Sequence, residues 1–464
     1  MAQEQARFLS GSPMRHITVM SVTASVGLMA VFLVDLVDMI FISMLGQDEL
    51  AAAIGYAGTI LFFTTSFSIG VAIAAGALVA RAVGAGDQET ARQRAATSLV
   101  WGIILATIFV AIVWFFLTPL AALVGAEGRT LELAVGYLAI IVPSLPLLLI
   151  GMVGGAILRA HGDAKRAMWA TVAGGLVNAV LDPILIFGLG LELTGAALAS
   201  VAARVTIALV ALLPIFKHYG GLSMPSVPAL LRDAKPILTI AFPAILTQLA
   251  TPVGQAWVTR SMAEYGSDAV AGMAIVGRIV PVAFGVMFAL SGAIGPIIGQ
   301  NAGAGQAARV RETYRDGLLF CAVVTVVVAA LLFGLRGPLV ALFNATGITA
   351  ELLLLFCGPL ALLWFFNGAI FVSNAAFNNL GHPYYSTWIN WGRNTLGTIP
   401  FVTLGASLYG APGVLIGQYT GGVVFAFAAA FLSNRIMTPD RLSAKKREAF
   451  QREGRLMSLL HLRK

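Results

Sequence analysis

Two aspartates, Asp35 and Asp38, stand three residues apart in the apolar run LMAVFLVDLVDMIFISML (28–45), and a second run, AMWATVAGGLVNAVLDPILIFGL (167–189), carries Asn178 and Asp182 four apart. Each spacing puts its pair on one face of a helix. A carboxylate near the middle of a membrane helix is disfavoured by about 2.5–3.5 kcal/mol on insertion scales, so three of them call for a chemical reason. Clustered carboxylates in a low dielectric resist ionisation, because burial and the neighbour's charge both oppose it. They titrate as a unit and can hold a proton near neutral pH. Exposed in turn to the two aqueous sides, such a cluster is a proton carrier. Na⁺ is the alternative occupant, since carboxylate and amide carbonyl oxygens suit a hard cation. A structural role competes with both: ion pairs to Arg204, Arg278 or Arg393, the arginines inside apolar segments, or, for Asp182, local backbone adjustment at Pro183. Arg278 is assigned a structural or gating role.

The elements that must hold these residues are membrane helices. The chain has 464 residues, 58% hydrophobic and 11% charged, and a mean hydropathy of +0.89, far from the balance of an ordinary soluble domain. Twelve apolar segments are expected near 15–45, 51–80, 95–118, 132–158, 167–189, 195–215, 236–261, 269–299, 316–335, 350–377, 384–405 and 411–435. With both termini cytoplasmic, the outer loops hold only Arg129, Arg260 and Arg336, and the inner excess of Lys and Arg sets that orientation. At 1.5 Å per residue, Asp35 and Asp182 then lie roughly 6 Å beyond the midplane and Asp38 about 10 Å, all in the outer half.

The chain repeats itself. VGAGDQETARQRA (83–95) maps onto AGAGQAARVRETY (302–314), and LRAHGDAKRAMW (158–169) onto FNNLGHPYYSTW (377–388), both at an offset of 219. LGQDELAA (45–52) and TGAALAS (194–200) find partners at YGSDAVAG (265–272) and PGVLIGQ (412–418), within one residue of that offset. The expected fold is therefore all-α and integral to the membrane. Its twelve transmembrane helices form two six-helix bundles related by a pseudo-twofold axis along the membrane normal. The expected division is an N-terminal bundle over 1–216, a cytoplasmic linker over 217–235, a C-terminal bundle over 236–435 and a basic cytoplasmic tail over 436–464. The linker, with Pro225 and Pro228, is expected to include some amphipathic helix. The tail is expected to lie against the anionic inner leaflet. The repeat does not extend to the acids, because Phe401 stands where Asp182 maps.

Several classes fall away. Cys321 and Cys357 sit in apolar stretches with no Cys/His cluster, so neither a disulfide framework nor a zinc site is implied. The net charge of +8 resides in loops and tail without a nucleic-acid module. No catalytic cluster is visible, so the chain is not expected to be an enzyme, and no cofactor is expected beyond H⁺ or Na⁺ as coupling ion. The loop after span two lacks the run that marks a major facilitator transporter.

Taken in order, LVDMIFISMLG (36–46), VGAGDQETARQRA, ILRAHGDAKRAM (157–168) and NAVLDPILIFGLGLELTGAALAS (178–200) resemble the multidrug and toxic compound extrusion (MATE) family over nearly the whole chain, roughly 15–435. The likeness is nearest the DNA-damage-inducible protein F and archaeal branch. The resemblance implies a V-shaped pair of six-helix bundles that exports organic cations or amphipathic drugs in exchange for H⁺ or Na⁺. By the same resemblance, Asp38, Asn178 and Asp182 match the acidic N-lobe cation site. Tyr137 matches a span-four tyrosine near that site, Ser200 stands where a span-six Thr is frequent, and Asp35 stands where many members carry Asn. Two departures are visible: the C-lobe acids of the Na⁺-coupled vibrio-type branch have no counterpart, and the first span lacks the archaeal proline. The expected protein is a multi-pass secondary antiporter of a bacterial inner membrane. A lipid-linked oligosaccharide flippase of the same superfamily is the alternative, for which a strongly basic cavity would be expected.

Overall fold

The computed structural model describes residues 6–438, apart from the side chains of Asp35, Ser43, Asp48 and Ala51. Of the basic tail expected on the lipid surface, residues 439–464 lie outside the described residues. Every regular element among the described residues is helical, in the order α1 (Pro13–Met44), α2 (Asp48–Gly84), α3 (Gln88–Phe115), α4 (Leu117–Leu123), α5 (Gly128–Ile141), α6 (Leu145–Ala160), α7 (Ala164–Pro183), α8 (Glu192–His218), α9 (Val227–Ala263), α10 (Ser267–Ala283), α11 (Gly285–Gly303), α12 (Ala307–Leu342), α13 (Gly347–Leu355), α14 (Trp364–Leu380), α15 (Pro383–Gly392) and α16 (Ile399–Ile436).

Proline and glycine explain where these helices break. Pro143 stands in the short 3₁₀ turn Val142–Ser144 that joins α5 to α6 within one span. The equivalent place in the second half, after Leu360, bends by 61° next to Pro359 and a non-helical Gly358. The α10–α11 span bends by 49°, three residues after Pro281. Among the described residues nine helices are apolar and long enough to cross a membrane, and the two bent pairs raise this to eleven.

The twelfth crossing lies inside the 54-residue helical stretch Pro383–Ile436. As one rod it would measure about 80 Å, more than twice a hydrocarbon core. Gly410 (φ 64°, ψ −140°) breaks it instead, and the chain doubles back. A Cβ on Gly405 would lie 2.1 Å from the Gly413 carbonyl oxygen, so the two arms of the hairpin touch backbone to backbone. Outward faces are apolar, as with exposed Val323, Val326, Val327 and Leu331 on α12, the surface that lipid covers.

The sequence repeat reappears as reciprocal contacts between the halves. A Cβ on Gly84 would lie 2.0 Å from the Gln300 carbonyl oxygen, and one on Gly303 would lie 2.1 Å from that of Arg81. Arg81 Nε donates to the Asn379 carbonyl at 2.6 Å, while Gln300 Nε2 donates to the Ala160 carbonyl at 2.7 Å. All four partners correspond at the offset of 219, so a pseudo-twofold axis passes between α2 and α11. The N-terminal segment binds both halves at this same end. Arg7 donates to the Gly162 carbonyl at 3.0 Å, and buried Phe8 is held by Gln300 and Arg309. Met437 accepts from Arg311 at 2.7 Å, so both described ends of the chain meet the start of α12.

One expectation is sharpened. Of the linker, only residues 219–226 lack helix, because α9 starts at Val227, well before the apolar run. Ser226 caps it by accepting from the Ala229 N–H, and Pro228 suits the first turn, where its missing N–H is not needed. Trp101 and Thr97 of α3 then hold that turn through the Leu230 carbonyl (2.9 Å) and buried Asp233 (3.0 Å).

Candidate functional site

Helices α1 and α7 pack along most of their lengths inside the N-terminal bundle. Gly175 lets them approach: a Cβ there would meet Val34 at 3.1 Å. One turn further along the same face of α7 comes Asn178, and one turn beyond that Asp182, both opposite Asp38 of α1. Asn178 Nδ2 donates to Asp38 Oδ1 at 3.0 Å and to Asp182 Oδ2 at 2.5 Å. The two carboxyl groups also touch each other. Asp182 is 0% exposed and Asn178 4%, while Asp38 is half-buried. Asp182 Oδ1 is buried with no hydrogen-bond partner among the described residues.

The chain is unusual locally just beyond Asp182. Pro183 removes one backbone donor, and Ile184–Gly188 winds as a wider π-helical turn. Such turns concentrate at functional positions because they re-aim neighbouring side chains. Tyr137 of α5 lies beside Asp38, Asp182, Arg204 and the Ser200 hydroxyl. The structure thus brings together Asp38, Asn178, Asp182, Tyr137 and Ser200. Asp35 lies on the same turn-to-turn face of α1 by its spacing, but its side chain is outside the description.

The arginines do not neutralise this cluster. Arg204 Nη1 donates to the Ile141 carbonyl at 3.0 Å and to Ser144 Oγ at 2.8 Å, filling the acceptors freed by the Pro143 break. Arg393 donates to Asn367 Oδ1. Arg278, exposed on α10, comes only to 3.8 Å from Met39 Sδ on α1. The ion pairs among the described residues join Arg92 to Glu89, Arg129 to Glu132, Arg166 to Asp163 and Arg232 to Asp233, none of them involving Asp38 or Asp182.

The second bundle fills the equivalent space with rings. At the offset of 219, Tyr137 maps to Phe356 and Ser200 to Tyr419, and these two rings pack with centroids 5.8 Å apart. Asp38, Asn178 and Asp182 map to Trp257, Gly397 and Phe401, so no carboxyl group stands at the equivalent positions of the second half. Sequence reasoning missed Arg159, because it adjoins the loop HGDA and reads as a loop charge. The structure sets it at the end of α6, its Nε 3.8 Å from where a Gly292 Cβ would stand on α11.

Outside the spans, Asp163 caps α7 through the Arg166 N–H at 3.1 Å, pairs with the Arg166 guanidinium at 2.5 Å and accepts from the Tyr219 hydroxyl at 2.8 Å. Burial pushes its carboxyl up, but the Tyr219 and Arg166 hydrogen bonds outweigh burial and hold it below the usual carboxylate range.

Known proteins match along the whole length. The MatE family profile matches residues 24–184 and 243–404, one stretch in each half. The FAD transporter of Shewanella oneidensis is 30% identical over 433 residues, covering 90% of this chain and 94% of that one. The multidrug export protein MepA of Staphylococcus aureus is 24% identical over 461 residues, 97% of this chain and 100% of its own. Among solved structures, a mutant of the Vibrio cholerae MATE transporter VcmN superposes with a TM-score of 0.87 at 25% identity, covering 93% of this chain and 98% of that one. An outward-facing multidrug resistance MATE transporter superposes at 0.86 with 24% identity over 95% and 98%, respectively.

Proposed function

The chain belongs to the MatE family of membrane transporters, and from that premise we propose that it is a secondary antiporter whose coupling cation binds at Asp38, Asn178 and Asp182. It exports drug-like amphipathic molecules, organic cations among them, across a bacterial inner membrane, with both termini and the Gly84–Gln300 end facing the cytoplasm.

The observation that carries this reading is the pair of touching carboxyl groups bridged by one amide, with Asp182 Oδ1 left unpartnered. Two carboxylates in contact do not both stay ionised unless a proton or cation lies between them. H⁺ is favoured over Na⁺ because Asn178 turns its N–H₂, not its carbonyl, toward both acids. A metal-like cation needs oxygens converging on it, whereas a proton needs only the acids. Tyr137 and Ser200 border the site and complete its polar wall. Asp35 is the accessory member, one turn away on α1. The same N-lobe acids support the DNA-damage-inducible protein F and archaeal branch.

Loading from outside would neutralise the cluster and favour the state that releases substrate outward; unloading to the cytoplasm would reset it. Such coupling needs a cluster whose charge differs between the two states. The names of the relatives, a multidrug export protein and an FAD transporter, support small organic cargo. A flippase is the weaker reading, since Arg204 and Arg393 turn onto Ile141, Ser144 and Asn367 and not into one shared basic space. Arg278, which bridges α10 to Met39 of α1, suits a gating contact between the bundles.

The test is uptake of ethidium into inverted vesicles under an imposed ΔpH or ΔNa⁺. Uptake driven by ΔpH in the wild type is expected. Uptake indifferent to both gradients contradicts an antiporter.

A further inference from the structure

Four residues of the bent α10–α11 span that meet the N-terminal bundle are spaced by seven, and Gln300 and Gly303 meet it as well. Arg278 meets Met39 of α1, Gly285 meets Met29 of α1, Gly292 meets Arg159 of α6, and Gly299 meets Ala80 of α2. Within α11 the spacing of seven from Gly285 to Gly299 keeps one helical face toward the N-terminal bundle, with Gly299 also against Asn379 of its own half. Most of α11 is buried, but Ser291 and Gly292 are exposed. The surface opened there is the one toward which Arg159 reaches.

Arg159 has no counter-charge. It is half-buried, and among the described residues its guanidinium forms no hydrogen bond and no ion pair. No atom other than Arg159 Nε stands within 4 Å of a Cβ placed on Gly292. The C-terminal half offers no carboxylate here: its acids up to residue 435 are Glu264, Asp268, Glu312, Asp316 and Glu351, none of them in α11. The nearest acid in sequence, Asp163, is spent on Arg166 and Tyr219. Its unpartnered nitrogens are accessible, since none is among the buried unpartnered atoms of the described residues, and its planar fork suits a carboxylate or phosphate held by two hydrogen bonds.

We propose that Arg159 is the recognition site for an anionic group, carboxylate or phosphate, on transported molecules, so that the cleft accepts organic anions and zwitterions as well as cations. The proposal rests on the exporter reading above. The positive subsite lies on the cytoplasmic side of the cleft, about 20 Å along the bent span from Arg278, and apart from the Asp38–Asp182 cluster. Cargo and coupling cation therefore occupy separate places.

The experiment compares gradient-driven transport of carboxyfluorescein and ethidium in proteoliposomes. Arg159→Gln is expected to lower the ratio of their kcat/KM values at least about tenfold, the scale of one charge-assisted contact, while Arg159→Lys keeps the ratio within about threefold. Gly292→Asp provides an independent variant: its carboxylate would stand against Arg159 in open space and is expected to lower the ratio in the same way without removing the arginine. A ratio that neither Arg159→Gln nor Gly292→Asp moves overturns the proposal. Ethidium transport without any carboxyfluorescein transport also overturns it and leaves the exporter reading intact. If neither dye moves against any gradient, the exporter reading fails and the Arg159 site falls with it. A lipid phosphate is the other source of such an anion. In a nonionic detergent free of phospholipid, saturable carboxyfluorescein binding to the wild type is expected. Binding that equimolar phosphatidylglycerol displaces would assign the guanidinium to a lipid headgroup and overturn the proposal.

Discussion

The Asn178 amide donates to the Asp38 carboxylate at 3.0 Å, tying α7 to α1 in the middle of the N-terminal bundle, and the same nitrogen serves Asp182. One donor shared by two acids makes Asn178 the residue that sets their relative geometry. Asn178→Ala removes it and leaves the buried Asp182 and half-buried Asp38 carboxyl groups facing each other. Coupled ethidium transport in proteoliposomes is expected to fall by at least about tenfold, the consequence of losing a hydrogen bond to a charged group, with no change in the oligomeric profile on size exclusion. Full coupled transport in Asn178→Ala would remove the amide from the account.

Arg204 is expected to matter for stability and not for ion coupling. Its guanidinium fills the Ile141 carbonyl and Ser144 hydroxyl at the break between α5 and α6. Arg204→Met removes both charge-assisted hydrogen bonds and leaves the Ile141 carbonyl only the Ser144 hydroxyl at 2.7 Å, a loss of about 1–3 kcal/mol. Thermal melting of the detergent-solubilised protein reads this as a lowered Tm. A variant that keeps its Tm and loses gradient coupling would place Arg204 in the cation site.

The reciprocal contacts of Gly84 on Gln300 and Gly303 on Arg81 predict matched effects. A valine at either glycine puts side-chain atoms where backbone now lies, an overpacking of about 1–3 kcal/mol or more. Gly84→Val and Gly303→Val are both expected to shift the protein toward a state open at this end. Faster alkylation of an Ala304→Cys reporter than in the parent reads that shift. A large effect of one substitution and none of the other contradicts the pseudo-twofold closure.

Acid stability should depend on Asp163. Its carboxyl is held below the usual range by Tyr219 and Arg166 against the opposing effect of burial. A group whose pKa is lower when folded contributes stability above its unfolded pKa of about 3.9, and that contribution is lost as pH falls through the folded value. The wild type is therefore expected to lose more Tm between about pH 5 and pH 3 than Asp163→Asn, which has no such proton to bind. Parallel Tm–pH curves for the two proteins would show that this carboxyl is not linked to folding.

The spans and their repeat were readable because both are written in hydropathy and glycine position. The offset that aligns Gly84 with Gly303 in the sequence also relates their contacts in space. Asp38, Asn178 and Asp182 were readable as a group because spacings of three and four define a helix face and membrane burial makes acids conspicuous. The role of Arg204 was not, since it depends on a carbonyl freed by a helix break at Pro143 whose geometry exists only in the fold. Arg159 was hidden for the opposite reason: it adjoins a basic loop, and only the packing of α6 against α11 turns it into the space between the bundles. The helix expected within the linker could not be given its first residue from the sequence, because the first turns of α9 are held by polar contacts from Trp101 and Thr97 and not by apolar periodicity.

The central claim is that Asp38 and Asp182 carry the coupling cation. The most direct measurement is ethidium transport by Asp38→Asn and Asp182→Asn in proteoliposomes, with an imposed ΔpH and, separately, with no gradient. The account predicts that each variant loses gradient-driven accumulation while ethidium–ethidium exchange without a gradient persists. Accumulation driven by ΔpH at the wild-type level in both variants would contradict it.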